Sequence, residues 1–148
     1  MCRSMPRQKV KILCVDDHWN ALSDRKSLLE ENGYEVLEAS GGLEGLEMFR
    51  SHPVDAVVLD YQMPGMPGDV VAAKMKRINS QVPIMLLSAY GPLPKSKLGS
   101  VDSFLAEPQP ATSLLSCLHE LLDEGAKPFF CRWLDRWRNH NLGLGRPI

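Results

Sequence analysis

The sequence lacks the features that mark membrane, secreted and zinc-binding proteins. No apolar run approaches the roughly 20 residues that cross a bilayer, and the N-terminus has no apolar signal segment. Its four cysteines are scattered, without a CxxC pair or metal-ligand spacing, which predicts reduced thiols in a cytoplasmic protein. A net charge of −1 argues against general nucleic-acid binding by the whole chain. What remains is a globular domain, and 148 residues suffice for one core.

Strand and helix patterns alternate along the chain. The predicted strands cover residues 9–15, 34–39, 54–60, 83–87 and 100–106. The predicted helices cover residues 20–32, a segment that starts at 41–42, and residues 69–78 and 112–123. In the helix at 69–78, the residues predicted to be buried include Val70, Val71, Ala73 and Ile78. Between the last two strands, two glycines and two prolines in residues 90–99 predict a short or distorted fourth helix. Strands separated by helix-length connections predict a parallel sheet covered on both faces.

Acidic residues stand where two of the predicted strands end. Asp60 closes the third strand before a Pro/Gly loop, and the pair Asp16 and Asp17 closes the first. Three carboxylates at one sheet edge are unfavourable unless a cation lies among them, and oxygen ligands suit Mg²⁺. An aspartate beside Mg²⁺ can accept a phosphoryl group as an acyl phosphate. The pattern predicts a phosphorylation switch, with Ser88 at the end of the fourth strand in the same pocket.

Four segments carry a family resemblance, namely residues 12–17, 57–64, 83–89 and 102–108. Their order and spacing resemble those of the receiver domain of two-component response regulators. The resemblance covers residues 8–124 and implies a flavodoxin-like, doubly wound five-stranded parallel sheet of strand order 2-1-3-4-5. It also implies a cytoplasmic signalling domain rather than an enzyme, since its only chemistry is phosphotransfer to itself and autodephosphorylation.

The resemblance implies a phosphoacceptor and a metal site. Asp60 matches the phosphoacceptor, which takes its phosphoryl group from a histidine kinase or a phosphotransfer protein. Asp17 matches a direct Mg²⁺ ligand, and Asp16 matches the acid that reaches the metal through water. Asp60 and the backbone carbonyl of Gln62 complete the protein's share of the coordination. A phosphatase of the haloacid-dehalogenase class is the enzymatic alternative, but it needs a second aspartate where Gln62 stands.

The resemblance also implies residues that respond to phosphorylation. Ser88 matches the hydroxyl that donates to the phosphoryl oxygens and draws its loop inward. Phe104 matches the aromatic ring that turns in or out with that loop. Gln62 and Tyr90 match the positions that set the dephosphorylation rate by shaping the access of water.

One position departs from the family pattern, because Glu107 stands where a lysine is expected to contact the phosphoryl group. At about 4 Å and an effective dielectric near 20, the attraction lost and the repulsion gained are each about 4 kcal/mol. Three alternatives stay open. Glu107 points away while Lys95 or Lys97 supplies the cation, or phosphorylation survives but is uncoupled from the loop movement, or the domain is a pseudo-receiver that works as a phosphorylation-independent adaptor.

The C-terminal segment 125–148 differs from the rest in charge and in pattern. It carries five basic residues against one acid, a net charge of +4, which leaves −5 for residues 1–125. Its apolar residues, at helical spacing, are Phe129, Phe130, Trp133, Leu134 and Trp137. The pattern predicts an extra helix that docks on its own domain, binds a partner or a second copy in a homodimer, or lies on a membrane surface. The tail is too short for a DNA-binding domain, which predicts a stand-alone receiver that signals to a downstream protein target.

Overall fold

The computed structural model of the chain describes residues 9–126. The strands are β1 (Lys11–Val15), β2 (Glu35–Ala39), β3 (Ala56–Asp60), β4 (Ile84–Ser88) and β5 (Ser103–Ala106). The α-helices are α1 (Trp19–Glu31), α2 (Gly42–Ser51), α3 (Gly68–Ile78) and α4 (Ala111–Ala126). The predicted tail helix lies outside the described residues. Within residues 9–126, no helix has both the length and the apolarity needed to span a bilayer.

The five strands form one parallel sheet in the order β2-β1-β3-β4-β5. This order confirms the predicted flavodoxin-like fold. Strands β3 and β4 are buried along their whole length because helices cover both faces of the sheet. The register pairs Val15 with Leu59 and Asp60 with Leu87, so β1, β3 and β4 end at the same edge. The polar residues at those strand ends are therefore neighbours.

Each face of the sheet has its own apolar cluster. On one face, α1 and α4 pack on alternate residues of the central strands, through side chains that include Leu22, Leu29, Leu114, Leu118 and Leu121. On the other face, α2 and α3 pack through side chains that include Leu46, Phe49, Val71, Ala72 and Met75. Cys14 of β1 is fully buried in the first cluster, where burial raises the pKa of its thiol to about 12. It behaves as a small core residue.

Helix α3 presents a different face to the sheet from the one its sequence suggests. Its buried residues are Gly68, Val71, Ala72 and Met75. The expectation that Val70 and Ile78 are buried is wrong, since they are 38% and 40% exposed. The buried residues recur at i, i+3, i+4 and i+7, which is one helical stripe. Val70 lies off this stripe, whereas Ile78 lies along it but is the last residue of the helix. Because residues 70–73 are all apolar, the sequence does not show which stripe of the helix faces the sheet.

The connection between β4 and β5 contains a single 3-10 turn, Lys95–Lys97, in place of a full helix. The predicted short or distorted fourth helix is thus confirmed. Leu93, Leu98 and Val101 of this connection pack against the cluster under α2 and α3, so the loop covers the sheet where a helix would otherwise lie. The backbone N–H of Val101 donates to the carbonyl of Leu98, which closes a turn and delays β5 to Ser103.

Candidate functional site

Three polar residues lie buried at the carboxyl edge of the sheet. Asp60 and Ser88 are the last residues of β3 and β4, and Asp16 directly follows β1. The exposed fractions are 2% for Asp16, 6% for Asp60 and 0% for Ser88. Apolar strands thus carry polar groups to the edge where parallel doubly wound sheets bind ligands.

The loop after β3 is held tightly against the end of its own strand. A Cβ atom at Gly68 would lie 2.3 Å from the backbone oxygen of Asp60, a distance that only glycine avoids. The backbone N–H of Gly68 donates to the carbonyl of Tyr61 at 2.9 Å. Because of this close approach, α3 begins beside the site and fixes the backbone on which Asp60 is mounted.

Asp60 lies in a concentrated negative field. One donor atom from each of Asp16, Asp17, His18 and Asp60 lies within 4.8 Å of the others. Burial, followed by the charge of Asp16, raises the pKa of Asp60 from 3.8 to about 6, while Arg25 acts in the opposite direction. A cation that enters the cluster would therefore stabilise the ionised carboxylate of Asp60.

The cluster fits a hard divalent cation such as Mg²⁺. Oδ1 of Asp17 is buried and accepts no hydrogen bond from any described residue, although Nδ1 of His18 lies 3.1 Å from it without forming one. Such an orphaned carboxylate oxygen is a ready direct ligand. Both oxygens of Asp16 are already engaged, Oδ1 by the backbone N–H of His18 at 2.9 Å and Oδ2 by Arg25. These contacts suit Asp16 to a water-mediated role.

Arg25 brings a buried positive charge into the site from α1. Its Nη1 lies 2.5 Å from Oδ2 of Asp16, and its Nη2 lies 3.4 Å from Oε1 of Glu107. The backbone N–H of Glu107 donates to the carbonyl of Ser88 at 2.7 Å, so the loop after β5 is anchored beside β4. Glu107 therefore faces the site rather than pointing away from it. Its repulsion is partly offset by a guanidinium that spans the two carboxylates.

The hydroxyl of Ser88 lies in a small hydrogen-bond network at the mouth of the site. Its Oγ accepts from Nε2 of Gln62 at 3.4 Å and from the backbone N–H of Tyr90 at 3.3 Å. Oε1 of Gln62 also accepts from the backbone N–H of Ala89 at 3.4 Å. The side chain of Tyr90 is 82% exposed above this network. All these contacts are long and therefore weak, so their N–H donors can turn to a stronger acceptor.

Phe104 and the two loop lysines complete the set of predicted residues. Phe104 pairs with Leu86 in the sheet and is partly buried against the cluster under α2 and α3. Nζ of Lys97 lies 3.6 Å from Oδ2 of Asp69 at the start of α3. Lys95 opens the 3-10 turn that also contains Lys97. Among residues 9–126, the cation in contact with Glu107 is thus Arg25, which appears in none of the three alternatives drawn from the sequence.

Arg25 is the functional residue that the sequence analysis missed, and a signal for it was present. It stands between Leu22 and Leu29 on the buried stripe of α1, at i, i+3 and i+7. A charged residue on an apolar stripe requires a buried partner of opposite charge. Glu107 stands where a lysine is expected, and Arg25 stands on a buried stripe. Together they indicate that the positive charge of the site comes from a different part of the chain.

Comparisons with known proteins agree with this geometry. The family model described as the response regulator receiver domain matches residues 12–99. Transcriptional regulatory protein GlrR of Escherichia coli is 29% identical over 132 residues, which cover 87% of this chain but only 30% of GlrR. Sporulation initiation phosphotransferase F of Bacillus subtilis is 31% identical over 98 residues, 64% of this chain and 79% of that protein. The response regulator TrrA of Thermotoga maritima, solved in complex with Mg²⁺-BeF, is 32% identical with a TM-score of 0.72 over 76% of this chain and 98% of TrrA.

The matched family segment includes the strands that carry the acidic cluster and Ser88. The solved structure extends the likeness to most of the described chain, with the same fold. Receiver domains are signalling domains that bind Mg²⁺ at an acidic pocket, and a cluster of that composition is present here. The chain therefore belongs to the response regulator receiver domain family of two-component signalling.

Proposed function

We propose that this receiver domain is a phosphorylation-regulated switch in which Asp60 accepts a phosphoryl group from a histidine kinase or a phosphotransfer protein. The observation that carries the proposal is the buried Asp60 carboxylate at a strand end, clustered within 4.8 Å with Asp16 and Asp17. TrrA, solved with Mg²⁺-BeF, lends support, since beryllofluoride resembles a phosphoryl group in charge and shape. The phosphorylated form changes its contacts with a downstream protein target.

The transfer forms one bond to phosphorus and breaks another. A carboxylate oxygen of Asp60 attacks the phosphorus of a phosphohistidine, the P–N bond breaks, and its electron pair leaves with the imidazole nitrogen. Asp17 directly, Asp16 through water, Asp60 and the backbone carbonyl of Gln62 would hold Mg²⁺, which neutralises phosphoryl charge when bound. With the pKa of Asp60 at about 6, its carboxylate is mostly ionised at pH 7.

The residues around the mouth of the site supply the response and its reversal. The Ser88 oxygen only accepts in its two described contacts, so its hydroxyl hydrogen can be donated in a charge-assisted bond to a phosphoryl oxygen, which draws the loop after β4 inward. Phe104 lies on β5 next to that strand and turns with the loop. Gln62 and Tyr90 flank the path of the water that hydrolyses the acyl phosphate, so they set the lifetime of the phosphorylated state.

A phosphorylation-independent adaptor is the second candidate, and the position of Glu107 favours it. A carboxylate that faces the site opposes the binding of a phosphoryl dianion. Arg25 reduces this repulsion, which is why phosphorylation remains our first proposal. In either case we infer that the domain acts in the cytoplasm through a protein target.

Intact-mass spectrometry after incubation with acetyl phosphate separates these two candidates. We expect the wild-type protein to gain the mass of one phosphoryl group in the presence of Mg²⁺ and not after chelation. Asp60→Asn removes the nucleophilic oxygen and should gain none. An unmodified wild-type protein would support the adaptor.

Binding of Mg²⁺ should depend most strongly on Asp17. We expect Asp17→Asn to weaken Mg²⁺ binding at least about tenfold, because it removes a charge and a direct oxygen ligand. Asp24→Asn makes the same chemical change at an exposed residue of α1 and should leave the affinity unaltered. Calorimetric titration measures both, and equal affinities in the two variants would place the metal elsewhere.

A further inference from the structure

The two contacts of Arg25 differ in strength and in freedom. The contact with Asp16 is short, at 2.5 Å, and the Asp16 side chain is 3% exposed. The contact with Glu107, at 3.4 Å, is near the upper limit of a hydrogen bond, and the Glu107 side chain is 35% exposed. Asp16 is therefore the fixed anchor of the guanidinium, while Glu107 is a loosely held partner that can turn to solvent.

The anchor keeps the guanidinium next to the phosphoacceptor. Oxygens of Asp16 and Asp60 belong to one cluster, with ligand atoms within 4.8 Å of one another, and Nη1 of Arg25 contacts Asp16. A planar guanidinium has five N–H donors, so one can stay on Asp16 while others take a new acceptor. Phosphoryl oxygens are acceptors that arginine binds particularly well.

We propose that Arg25 is the positioning cation for the phosphoryl group on Asp60. Glu107 accepts from Nη2, the second arm of the Arg25 guanidinium, until the phosphoryl group displaces it. This inference rests on the proposed function, because the displacing anion is the phosphoryl group itself. The loop between β5 and α4 then responds because the Glu107 carboxylate is released from Arg25. In the family pattern, a lysine ammonium at this position would instead move toward the phosphoryl group. Arg25 on α1 thereby couples the phosphoacceptor to the start of α4.

A double-mutant cycle with beryllofluoride in excess Mg²⁺ tests this exchange. Glu107→Gln replaces the charge-assisted contact to the second arm of Arg25 by a weaker, neutral one and should tighten beryllofluoride binding about tenfold, since the anion then competes with a weaker acceptor. In the Arg25→Met background the same Glu107→Gln change should tighten binding by a clearly smaller factor, because it removes only the repulsion by Glu107 and there is no guanidinium arm to release. Calorimetric titration of all four proteins measures the coupling.

A role for Glu107 in simple repulsion predicts a different cycle. If Glu107 only repels the bound anion, Glu107→Gln tightens binding by the same factor with or without Arg25. That additive result, with beryllofluoride still bound by the wild-type protein, would overturn the inference and leave the proposed function standing. Failure of all four proteins to bind beryllofluoride would instead overturn the proposed function, and the inference with it.

Two further variants separate coupling from loss of folding. Arg25→Gln keeps a hydrogen-bond donor to Asp16 and replaces Arg25→Met in the cycle if the methionine variant does not fold by circular dichroism. Lys26→Met removes the adjacent cation of α1, which contacts Glu38 at 3.1 Å. It should leave the tenfold gain from Glu107→Gln intact, and a gain lost there as well would contradict a specific role for Arg25.

Discussion

Replacing Arg25 by methionine should lower the free energy of unfolding by about 3–5 kcal/mol in the absence of Mg²⁺. The substitution keeps an unbranched apolar stem of similar volume but leaves the Asp16 carboxylate buried without its counter-charge. The cost is large because the site already holds an unfavourable concentration of acids. Urea denaturation at pH 7 measures it.

Matched variants decide whether that loss comes from the buried pair. Lys26→Met removes a cation of the same helix that forms an exposed ion pair with Glu38 of β2, and it should cost far less stability than Arg25→Met. Adding Asp16→Asn to Arg25→Met removes the orphaned charge and should recover part of the stability. A loss below about 1 kcal/mol in Arg25→Met would mean that the guanidinium is not buried against Asp16 in the folded protein.

Asp60→Asn should stabilise the metal-free domain above pH 6. The folded protein holds the pKa of Asp60 at about 6, above its value of 3.8 outside the fold, so the folded state binds the proton more tightly. Ionisation of Asp60 therefore costs stability, and the cost grows from about pH 4 to about pH 6 and is complete above that. A shift of about two pKa units sets an upper limit of about 3 kcal/mol. The gain from the substitution should vanish near pH 4.

Added Mg²⁺ should reduce the difference in stability between Asp60→Asn and the wild-type domain. It stabilises the wild-type domain by pairing with the ionised cluster, by about 1.4 kcal/mol at ten times its Kd, and it should stabilise Asp60→Asn less. Thermal unfolding at pH 5 and pH 8, with and without Mg²⁺, measures both effects. A gain in Asp60→Asn that is equal at both pH values would show that the benefit is not electrostatic.

The fold and most of the acidic site could be predicted because their signals are local in the sequence. Buried parallel strands read as short apolar runs, and their polar end residues, Asp16, Asp60 and Ser88, fall at the next position along the chain. Strand order came from the family resemblance, because alternation of strands and helices does not fix it. The distorted connection between β4 and β5 followed from its prolines and glycines, which act on their own backbone.

What the sequence did not supply depends on contacts between distant residues. Arg25 and Glu107 are 82 positions apart, and each looks ordinary until the fold brings them together. The predicted burial of Val70 was wrong because residues 70–73 are all apolar and only packing against the sheet selects the buried stripe. The predicted burial of Ile78 was wrong because the helix ends at that residue. One of the three alternatives for Glu107 assigned the cation to Lys95 or Lys97, which lie in the same part of the chain. The cation that contacts Glu107 in the structure belongs to helix α1, near the other end of the chain.

If this domain is a phosphorylation switch, Asp60 itself becomes the acyl phosphate, and the position of the modified residue can be determined chemically. After incubation with acetyl phosphate and Mg²⁺, borohydride reduces an aspartyl phosphate to homoserine, which peptide mass spectrometry can assign to a position. We expect homoserine at position 60, and we expect its formation to depend on both acetyl phosphate and Mg²⁺. Modification at another residue, or none at position 60 in a folded protein that binds Mg²⁺, would contradict it.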